Sequence, residues 1–244
     1  MSSDSPAIVI TGGAQRLGRA VALALNEDGY NVIVTYRTDR PELAQLREQG
    51  IETLHANFSD HESIYALCDK LNREHDQLRA IIHNASEWLS EQTENDYGEM
   101  LERMLTVHVA APYLINQHCG DLLQRYGEHN GQSDIIHLTD FVAGTGSAKH
   151  IAYAASKAAL ENLTLSFATK LAPRVKVNSI APALLMFNSE DGPEYREKSL
   201  KKSLLRIAPG ESEGVEAVRY LLHSRFLTGK IIALDGGRHL ARAS

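Results

Sequence analysis

The sequence has few cysteines, no excess of positive charge and no long run of apolar residues. Its 244 residues include only two cysteines, Cys68 and Cys119, which do not suggest a disulfide framework and suit a reducing compartment. The formal net charge of −6 argues against a nucleic acid or an anionic membrane as partner. No segment is apolar over the roughly 20 residues that a membrane-spanning helix needs. Together these features predict a cytoplasmic protein.

Signals for export and for metal binding are also missing. The first residues, Met1 to Ser5, carry no basic side chain and contain no apolar segment of a secretory leader, so no leader is predicted. Eleven histidines occur, but none forms an HExxH motif or accompanies a CxxC motif. The sequence therefore predicts no metal site.

What the sequence does contain is a regular alternation of strand-like and helix-like segments. Strands are predicted at residues 7–11, 31–36, 51–56, 78–83, 134–139, 175–180 and 230–234. Helices are predicted between them at residues 16–28, 41–49, 61–75, 97–125, 151–171 and 213–223. This alternation predicts an α/β fold, a Rossmann-like, doubly wound, seven-stranded parallel sheet with helices on both faces. Because no linker or repeat divides the chain, residues 1–244 are predicted to form a single domain.

A glycine-rich turn connects the first predicted strand to the first predicted helix. Gly12 and Gly13 follow the strand directly, and Gly18 comes later with Arg16 between them. Glycines let the backbone approach a pyrophosphate closely, and the N-terminus of the following helix offers unpaired N–H groups. Strand, glycine turn and helix in this order predict a dinucleotide site. The alternative is a tight connection that binds nothing.

The end of the second strand indicates which dinucleotide binds. An acidic residue there would hold the ribose hydroxyls of NAD, whereas an arginine accommodates the 2′-phosphate of NADP. Arg37 lies at this point, and Arg16 adds a second guanidinium, a group that binds phosphate through paired hydrogen bonds. The sequence therefore predicts NADPH as cofactor. In the alternative interpretation Arg37 is a solvated loop residue.

Tyr153 and Lys157 are spaced four residues apart in a predicted helix. Residues at this spacing lie on the same helical face. A neighbouring ammonium stabilises a phenolate, so we expect Lys157 to lower the pKa of Tyr153 from its ordinary value of about 10. Such a tyrosine can donate a proton to a substrate atom that is receiving a hydride.

Several motifs, in this order, are similar to those of the short-chain dehydrogenase/reductase family. They are Thr11-Gly12-Gly13 through Gly18, His83-Asn84-Ala85-Ser86, Tyr153-x3-Lys157, Asn178-Ser179-Ile180-Ala181-Pro182 and Leu234-Asp235-Gly236-Gly237. The resemblance implies that Tyr153 is the proton donor, that Lys157 also holds the nicotinamide ribose, and that the protein is a homotetramer. It implies a coenzyme site made of Thr11, Gly12, Arg16, Leu17, Gly18, Arg37, Thr38, Asn57, Phe58, Asn84, Ala85, Ser86, Tyr153, Lys157 and Pro182.

Three positions depart from the usual pattern of the family. Asp140 replaces the usual serine, His108 replaces the usual helix asparagine, and Arg16 lies in the glycine turn. Asp140 and Arg16 together resemble the pteridine reductases of this family, in which an aromatic side chain past the Asn-Ala turn stacks on the pterin. Trp88 has that place here. The resemblance implies a substrate site made of Arg16, Trp88, Asp140 and Tyr153.

The implied activity is NADPH-dependent reduction of 7,8-dihydropterins, such as dihydromonapterin to tetrahydromonapterin, with weaker reduction of dihydrofolate. The expected catalytic residues are Tyr153, Lys157 and Asp140. Reducing the C6=N5 bond leaves negative charge on N5, and Tyr153 with Asp140 would supply the proton. Burial would raise the pKa of Asp140 and so allow it to take part. Residues 182–205 are expected to form a substrate lid within the domain.

Other interpretations stay open at this point. Asp140 would instead cap a loop, Trp88 would merely pack its own loop, and His108 would either join a water-mediated proton relay or bond to backbone. The alternative enzyme is a carbonyl reductase of the same family, such as a 3-oxoacyl thioester reductase. A third possibility is a catalytically idle NADP-sensing or scaffold protein.

Overall fold

A seven-stranded parallel sheet forms the centre of the protein. The computed structural model describes residues 5–91 and 96–241, so the leader prediction, which concerns mainly residues 1–4, lies outside the described residues. The strands are β1 (Ala7–Thr11), β2 (Asn31–Tyr36), β3 (Glu52–His55), β4 (Leu78–His83), β5 (Ser133–Leu138), β6 (Val175–Pro182) and β7 (Ile231–Leu234). All seven predicted strands are present, with small shifts at their ends.

Helices alternate with these strands as the sequence predicts. They are α1 (Arg16–Glu27), α2 (Glu42–Glu48), α3 (His61–Glu74), α4 (Tyr97–Leu105), α5 (Ala111–Asn130), α6 (Val142–Thr145), α7 (Ile151–Leu171), α8 (Pro193–Leu200) and α9 (Glu211–His223). A π-helical turn, Thr106–Ala110, joins α4 to α5. The predicted helix 97–125 is therefore an irregular helix that continues to Asn130. The doubly wound α/β fold is confirmed.

Helices cover both faces of the sheet, because successive strand residues point to opposite sides. Ile8 and Ile10 of β1 belong to a core that includes side chains of α1, α2 and α9. Ala7 and Val9 belong to a second core that includes side chains of α3, α5 and α7. The strands β1, β4 and β5 are buried along their whole length, which explains their continuous apolar runs.

The strand order, β3-β2-β1-β4-β5-β6-β7, reverses between β1 and β4. The chain first proceeds from β1 to β3 on one side and then crosses over to β4. In open parallel sheets, ligands bind at the carboxyl ends of the strands at such a reversal. Gly12 follows β1 and Asn84 follows β4, so the fold brings both motifs to this crevice.

A buried ionic cluster lies at the amino ends of the strands, opposite the crevice. Arg79, Asp134 and Lys176 are the second residues of the neighbouring strands β4, β5 and β6. The Asp134 carboxylate lies 2.5 Å from Nη1 of Arg79 and 2.8 Å from Nζ of Lys176. Arg79 also donates to the carbonyl of Leu222, and Lys176 to that of Leu221. These cations satisfy carbonyls at the C-terminal end of α9, where positive charge is favourable.

No helix among residues 5–91 and 96–241 is long and apolar enough to cross a membrane. In the same residues, no group of three or more His, Cys, Asp or Glu side chains is arranged to hold a metal ion.

Candidate active site

A cavity of about 950 Å³ opens at the carboxyl ends of the strands. It is lined by residues that follow several different strands and by the first turn of α7. Most residues predicted to bind coenzyme or substrate lie in its wall, namely Gly12, Arg16, Leu17, Gly18, Arg37, Thr38, Phe58, Asn84, Ala85, Ser86, Trp88, Asp140 and Tyr153. The fold thus gathers these side chains from distant parts of the sequence into one place.

Four of the predicted coenzyme residues are not part of the cavity wall. Asn57 uses its side-chain oxygen within its own turn, where it accepts a hydrogen bond from the N–H of Ser59 at 3.2 Å. Thr11 and Lys157 are each 2% exposed. Pro182 is the last residue of β6. Direct contact of these four residues with a coenzyme stays a prediction.

Hydrogen bonds fasten the turn after β4 to the turn after β1. Thr11 Oγ1 accepts the backbone N–H groups of Asn84 and Ala85, each at 3.0 Å. Asn84 Nδ2 donates in return to the carbonyls of Thr11 at 3.0 Å and Gly12 at 2.9 Å. Gly12 has a φ of 65°, and a Cβ on Gly18 would lie 2.4 Å from Asn84 Nδ2. Glycine is therefore required at both positions by the packing of the two turns.

Arginines gather at the end of the cavity next to β2. Arg37 and Arg40 line the cavity there, and Arg16 contributes from the glycine turn. Arg37 forms an ion pair with Glu87, whose carboxylate also accepts hydrogen bonds from Arg103 at 2.5 and 3.1 Å. Arg37 is thus held by a partner and is not simply a solvated loop residue. Sequence reasoning missed Glu87, because a single acidic residue in a loop belongs to no motif.

Tyr153 and Asp140 are in direct contact. The Tyr153 hydroxyl donates to Oδ2 of Asp140 at 2.9 Å, and Oδ1 of Asp140 accepts the N–H of Val142, also at 2.9 Å. The carboxylate therefore caps its loop and contacts the phenol at the same time. Burial raises the pKa of Asp140, although the bonds from Val142 and Tyr153 and the charge of Lys157 oppose the rise. Asp140 is thereby protonated at higher pH than an ordinary aspartate.

Lys157 does not lower the pKa of Tyr153, and that prediction is wrong. Burial, followed by the charge of Asp140 and the bond to it, raises the pKa of Tyr153 well above its ordinary value, and a hydrogen bond with Ser86 opposes this. Nζ of Lys157 lies 5.6 Å from the centre of the Tyr153 ring and donates to the carbonyl of Leu138 at 2.8 Å. Burial lowers the pKa of Lys157 to about 8. Because the two residues share a helical face, the ammonium of Lys157 lies near the ring of Tyr153, but the hydroxyl of Tyr153 bonds to Asp140.

Trp88 forms an aromatic wall beside Tyr153. The two ring centres are 4.6 Å apart, and the indole is 4.0 Å from the ring of His150. Trp88 lines the cavity and is 56% exposed. Because so much of the indole is in contact with solvent, simple loop packing does not explain its position. Its free surface is suited to a flat ligand.

His108 lies in the π-helical turn and is fully bonded inside the protein. Its Nε2 accepts the N–H of Glu87 at 3.2 Å and lies 2.9 Å from Oγ of Ser86, while Nδ1 lies 2.8 Å from Oγ of Ser156. Since Nε2 is an acceptor, we assign the proton to Nδ1. Burial and the charge of Lys157 lower the pKa of His108 well below 6.5. The neutral ring therefore positions the loop that carries Ser86 and bonds to backbone at Glu87, while a part in a water-mediated proton relay stays a prediction.

Residues 183–205 form a second wall of the cavity. Residues 183–192 have no regular secondary structure, and α8 then extends from Pro193 to Leu200. Asn188 contacts Arg16, which joins this segment to the glycine turn. The cavity-lining members of the segment are Ala183, Leu184, Met186, Asn188, Asp191, Tyr195, Ser199 and Lys202.

The chain matches a protein-family model described as Enoyl-(Acyl carrier protein) reductase over residues 12–239. This model represents short-chain dehydrogenases. The chain belongs to the short-chain dehydrogenase/reductase family. The order of its motifs, its parallel sheet and its cavity at the carboxyl ends of the strands agree with this membership.

Relatives of high similarity extend along the whole chain. The dihydromonapterin reductase of Escherichia coli O6:H1 is 48% identical over 238 residues, which cover 98% of each chain. That of Shigella boydii serotype 4 is 49% identical over 233 residues, which cover 96% of each chain. The crystal structure of FolM alternative dihydrofolate reductase 1 from Brucella canis, complexed with NADP, has a TM-score of 0.85 and 26% identity. The match covers 99% of this chain and 96% of that one.

Proposed function

We propose that this short-chain dehydrogenase/reductase is an NADPH-dependent reductase of 7,8-dihydropterins. The contact between the Tyr153 hydroxyl and Asp140, beside the exposed ring of Trp88, carries the proposal. The names of its full-length relatives support dihydromonapterin as substrate and tetrahydromonapterin as product. The name of the Brucella protein supports weaker action on dihydrofolate.

The charges and backbone of the cavity fit NADPH. Arg16, Arg37 and Arg40 provide guanidinium groups for the 2′-phosphate, and the glycine turn before α1 suits a pyrophosphate. The NADP bound to the Brucella neighbour supports the same coenzyme. When bound, NADPH supplies the hydride that reduces C6 of the pterin.

Tyr153 and Asp140 provide the proton that N5 requires. The raised pKa of Tyr153 keeps the phenol protonated until charge develops on N5, and the phenol then donates its proton there. The phenolate takes up the proton of the neighbouring Asp140 carboxyl, which solvent later replaces. Lys157, whose Nζ lies 5.6 Å from the centre of the Tyr153 ring, would hold the nicotinamide ribose beside these groups.

Trp88 and the segment 182–205 bind the substrate. The exposed indole stacks on one face of the pterin, which buries apolar surface and aligns C6 for hydride transfer. The segment 182–205 acts as a lid, and its contact with Arg16 links the lid to the coenzyme side of the cavity.

A carbonyl reductase of the same family, such as a 3-oxoacyl thioester reductase, is the second candidate. The description of the matching family model favours a thioester substrate. Asp140 argues against it, because a ketone needs a neutral hydroxyl to polarise it and the family serine is absent. The idle NADP-sensing or scaffold alternative is opposed by the presence of both Tyr153 and Lys157 in a cavity.

A substrate panel tests the proposal. NADPH consumption is measured with dihydromonapterin, dihydrobiopterin, dihydrofolate and a β-keto thioester, and we expect turnover of the dihydropterins alone. Tyr153→Phe should lower kcat by about 10²–10⁴-fold, while quenching of NADPH fluorescence shows coenzyme binding retained. Asp140→Ser is the companion variant, which should lose pterin turnover. Faster turnover of the thioester by the unmodified protein would overturn the proposal.

Assembly and location are further predictions of this proposal. A homotetramer is supported by partly exposed apolar side chains on α4 and α5, namely Leu101, Leu105 and Tyr113. Light scattering coupled to gel filtration measures the mass of the assembly. A cytoplasmic location is checked by cell fractionation.

A further inference from the structure

The cavity has a second group of cations besides the arginines next to β2. Lys149, Lys202 and Arg238 line the cavity, and we call these three residues the cationic rim. Within the part of the chain that the structure describes, none of the three forms an ion pair. A chain with a formal net charge of −6 therefore has three cations at one side of its cavity that form no ion pair within the described residues.

Topology separates the rim from the proposed phosphate end of the cavity. Arg37 and Arg40 follow β2, whereas Lys149 comes after β5, Lys202 after β6 and Arg238 after β7. In the sheet order β3-β2-β1-β4-β5-β6-β7, these two groups belong to opposite halves of the sheet. The rim is therefore on the side of the cavity that contains the proposed proton donors.

Contacts place the rim next to the proposed substrate site. Lys149 directly precedes His150, whose ring packs 4.0 Å from that of Trp88. The guanidinium carbon of Arg238 lies 4.6 Å from the ring centre of Phe141, the residue after Asp140. The charge of Arg238 is also felt at Asp140, where it opposes the rise in the pKa of the carboxyl.

The rim cations act on one another electrostatically. Burial, followed by the charges of Arg238, Lys198 and Lys149, lowers the pKa of Lys202. Mutual repulsion of this kind is relieved when an anion enters between the cations. A cleft lined by one sign of charge also attracts oppositely charged ligands from solution.

We propose that the cationic rim binds an anionic group on the side chain of the pterin substrate. The inference rests on the proposed function, because a pterin ring on Trp88 is itself uncharged and leaves the rim without a partner. The group would be either the carboxylates of a glutamate tail, as in dihydrofolate, or a phosphate ester on a shorter side chain. The rim would then add affinity for such substrates that dihydropterins with neutral side chains do not gain.

Steady-state kinetics with substrates of different charge tests the rim. The value of kcat/KM is measured for dihydromonapterin, its phosphate monoester, dihydrofolate and dihydrofolate with three glutamates. The double variant Lys202→Gln, Arg238→Gln should reduce the ratio of kcat/KM for the anionic substrates to that for dihydromonapterin by about tenfold, because two charge contacts with the anion are lost. The phosphate and glutamate arms show which anion the rim prefers.

Lys201→Gln is the matched control. Lys201 neighbours Lys202 but is exposed and paired with Glu197 at 2.6 Å, so its replacement should leave the ratio unchanged. A ratio that is equally unchanged in the double variant would overturn the inference. So would a selective rise in KM for NADPH, because the rim would then serve the coenzyme.

Binding measurements separate this inference from the proposed function. Trp88 is the only tryptophan of the chain, so quenching of its fluorescence reports ligands in the substrate site without turnover. If no dihydropterin is reduced but the double variant still weakens binding of dihydrofolate, the proposed function fails and the rim stands. If dihydropterins are reduced and the double variant binds dihydrofolate as tightly as the unmodified protein, only the rim fails.

Discussion

Replacing Asp140 with asparagine removes the carboxyl that contacts Tyr153 and keeps the size of the side chain. After Tyr153 has donated its proton, its oxygen lies beside a carboxyl only 2.9 Å away. If that carboxyl is ionised, the repulsion is about 6 kcal/mol at an effective dielectric constant of about 20, and about 1.4 kcal/mol in bulk water. Because about 1.4 kcal/mol corresponds to a factor of ten, ionisation of Asp140 should slow kcat by about tenfold or more.

The sign of the pH dependence follows from the pKa of Asp140. Burial raises this pKa, so the protonated form, which can reprotonate Tyr153, persists to higher pH than in an ordinary aspartate. The kcat of the unmodified protein should therefore fall as the pH rises through the raised pKa. In Asp140→Asn nothing titrates at this position, so the decline should disappear. Loss of the proton supply should also lower kcat at low pH by about 10²-fold or more.

Single-turnover kinetics is the suitable assay, because it observes hydride transfer separately from product release. Oxidation of bound NADPH by a dihydropterin is followed across the pH range for the unmodified protein, Asp140→Asn and Asp140→Ser. Both variants lack the titrating carboxyl, so neither should show the fall in rate that accompanies ionisation of Asp140 in the unmodified protein. The same decline over the same pH range in Asp140→Asn would refute the reasoning, since another group would then control it.

Three further predictions concern the coenzyme site and the core. Arg37→Gln should raise KM for NADPH about 10–100-fold and leave KM for NADH nearly unchanged, because a charged hydrogen bond to phosphate is worth about 1.5–3 kcal/mol. Initial-rate assays measure both KM values, and equal effects on the two coenzymes would contradict the role of Arg37 at the 2′-phosphate. Asp134→Asn leaves two buried cations without a counter-charge and should lower the free energy of unfolding in urea by about 3–5 kcal/mol, whereas Glu128→Gln, in an exposed pair with an arginine, should cost about 1 kcal/mol or less. Burial lowers the pKa of His83 to about 4. Between its ordinary pKa of about 6.5 and a pH of about 4, the unfolded chain therefore binds a proton that the folded chain does not, and the free energy of unfolding should decline by about 3 kcal/mol over this range. In His83→Gln this decline should be smaller, and an unchanged dependence of the free energy of unfolding on pH would contradict the assignment.

The fold was predictable because its local and long-range signals agree. The central strands are buried on both faces and therefore appear as unbroken apolar runs, such as 80–82. Glycine at position 12 marks the exit from β1, where φ is 65°. The π-helical turn was not predictable, since its residues have ordinary helical character and only the local backbone bonding distinguishes it.

The pKa of Tyr153 shows where sequence spacing stops being informative. A spacing of four residues places Lys157 on the same helical face, and the ammonium does lie near the ring. Spacing says nothing about burial, which is the largest cause of the raised pKa, or about Asp140 from another element. The protonation behaviour of the site depends on tertiary packing.

The partner of Arg37 was equally invisible in the sequence. Arg37 follows β2 and Glu87 follows β4, so that β3 and β4 both lie between the two residues in the sequence. Their contact exists because the parallel sheet brings the exits of β2, β1 and β4 together. A motif search detects residues in a fixed local order and does not detect such pairs.

The ionic cluster of Arg79, Asp134 and Lys176 stabilises the sheet at a distance from the proposed site of catalysis. The cluster ties three strands and the end of α9 together where the strands begin, whereas the proposed reacting groups lie where the strands finish. Substitutions in the loops that line the proposed substrate site therefore leave the contacts of this cluster unchanged. During evolution, substrate specificity can therefore change through loop substitutions while the stability that this cluster provides is retained.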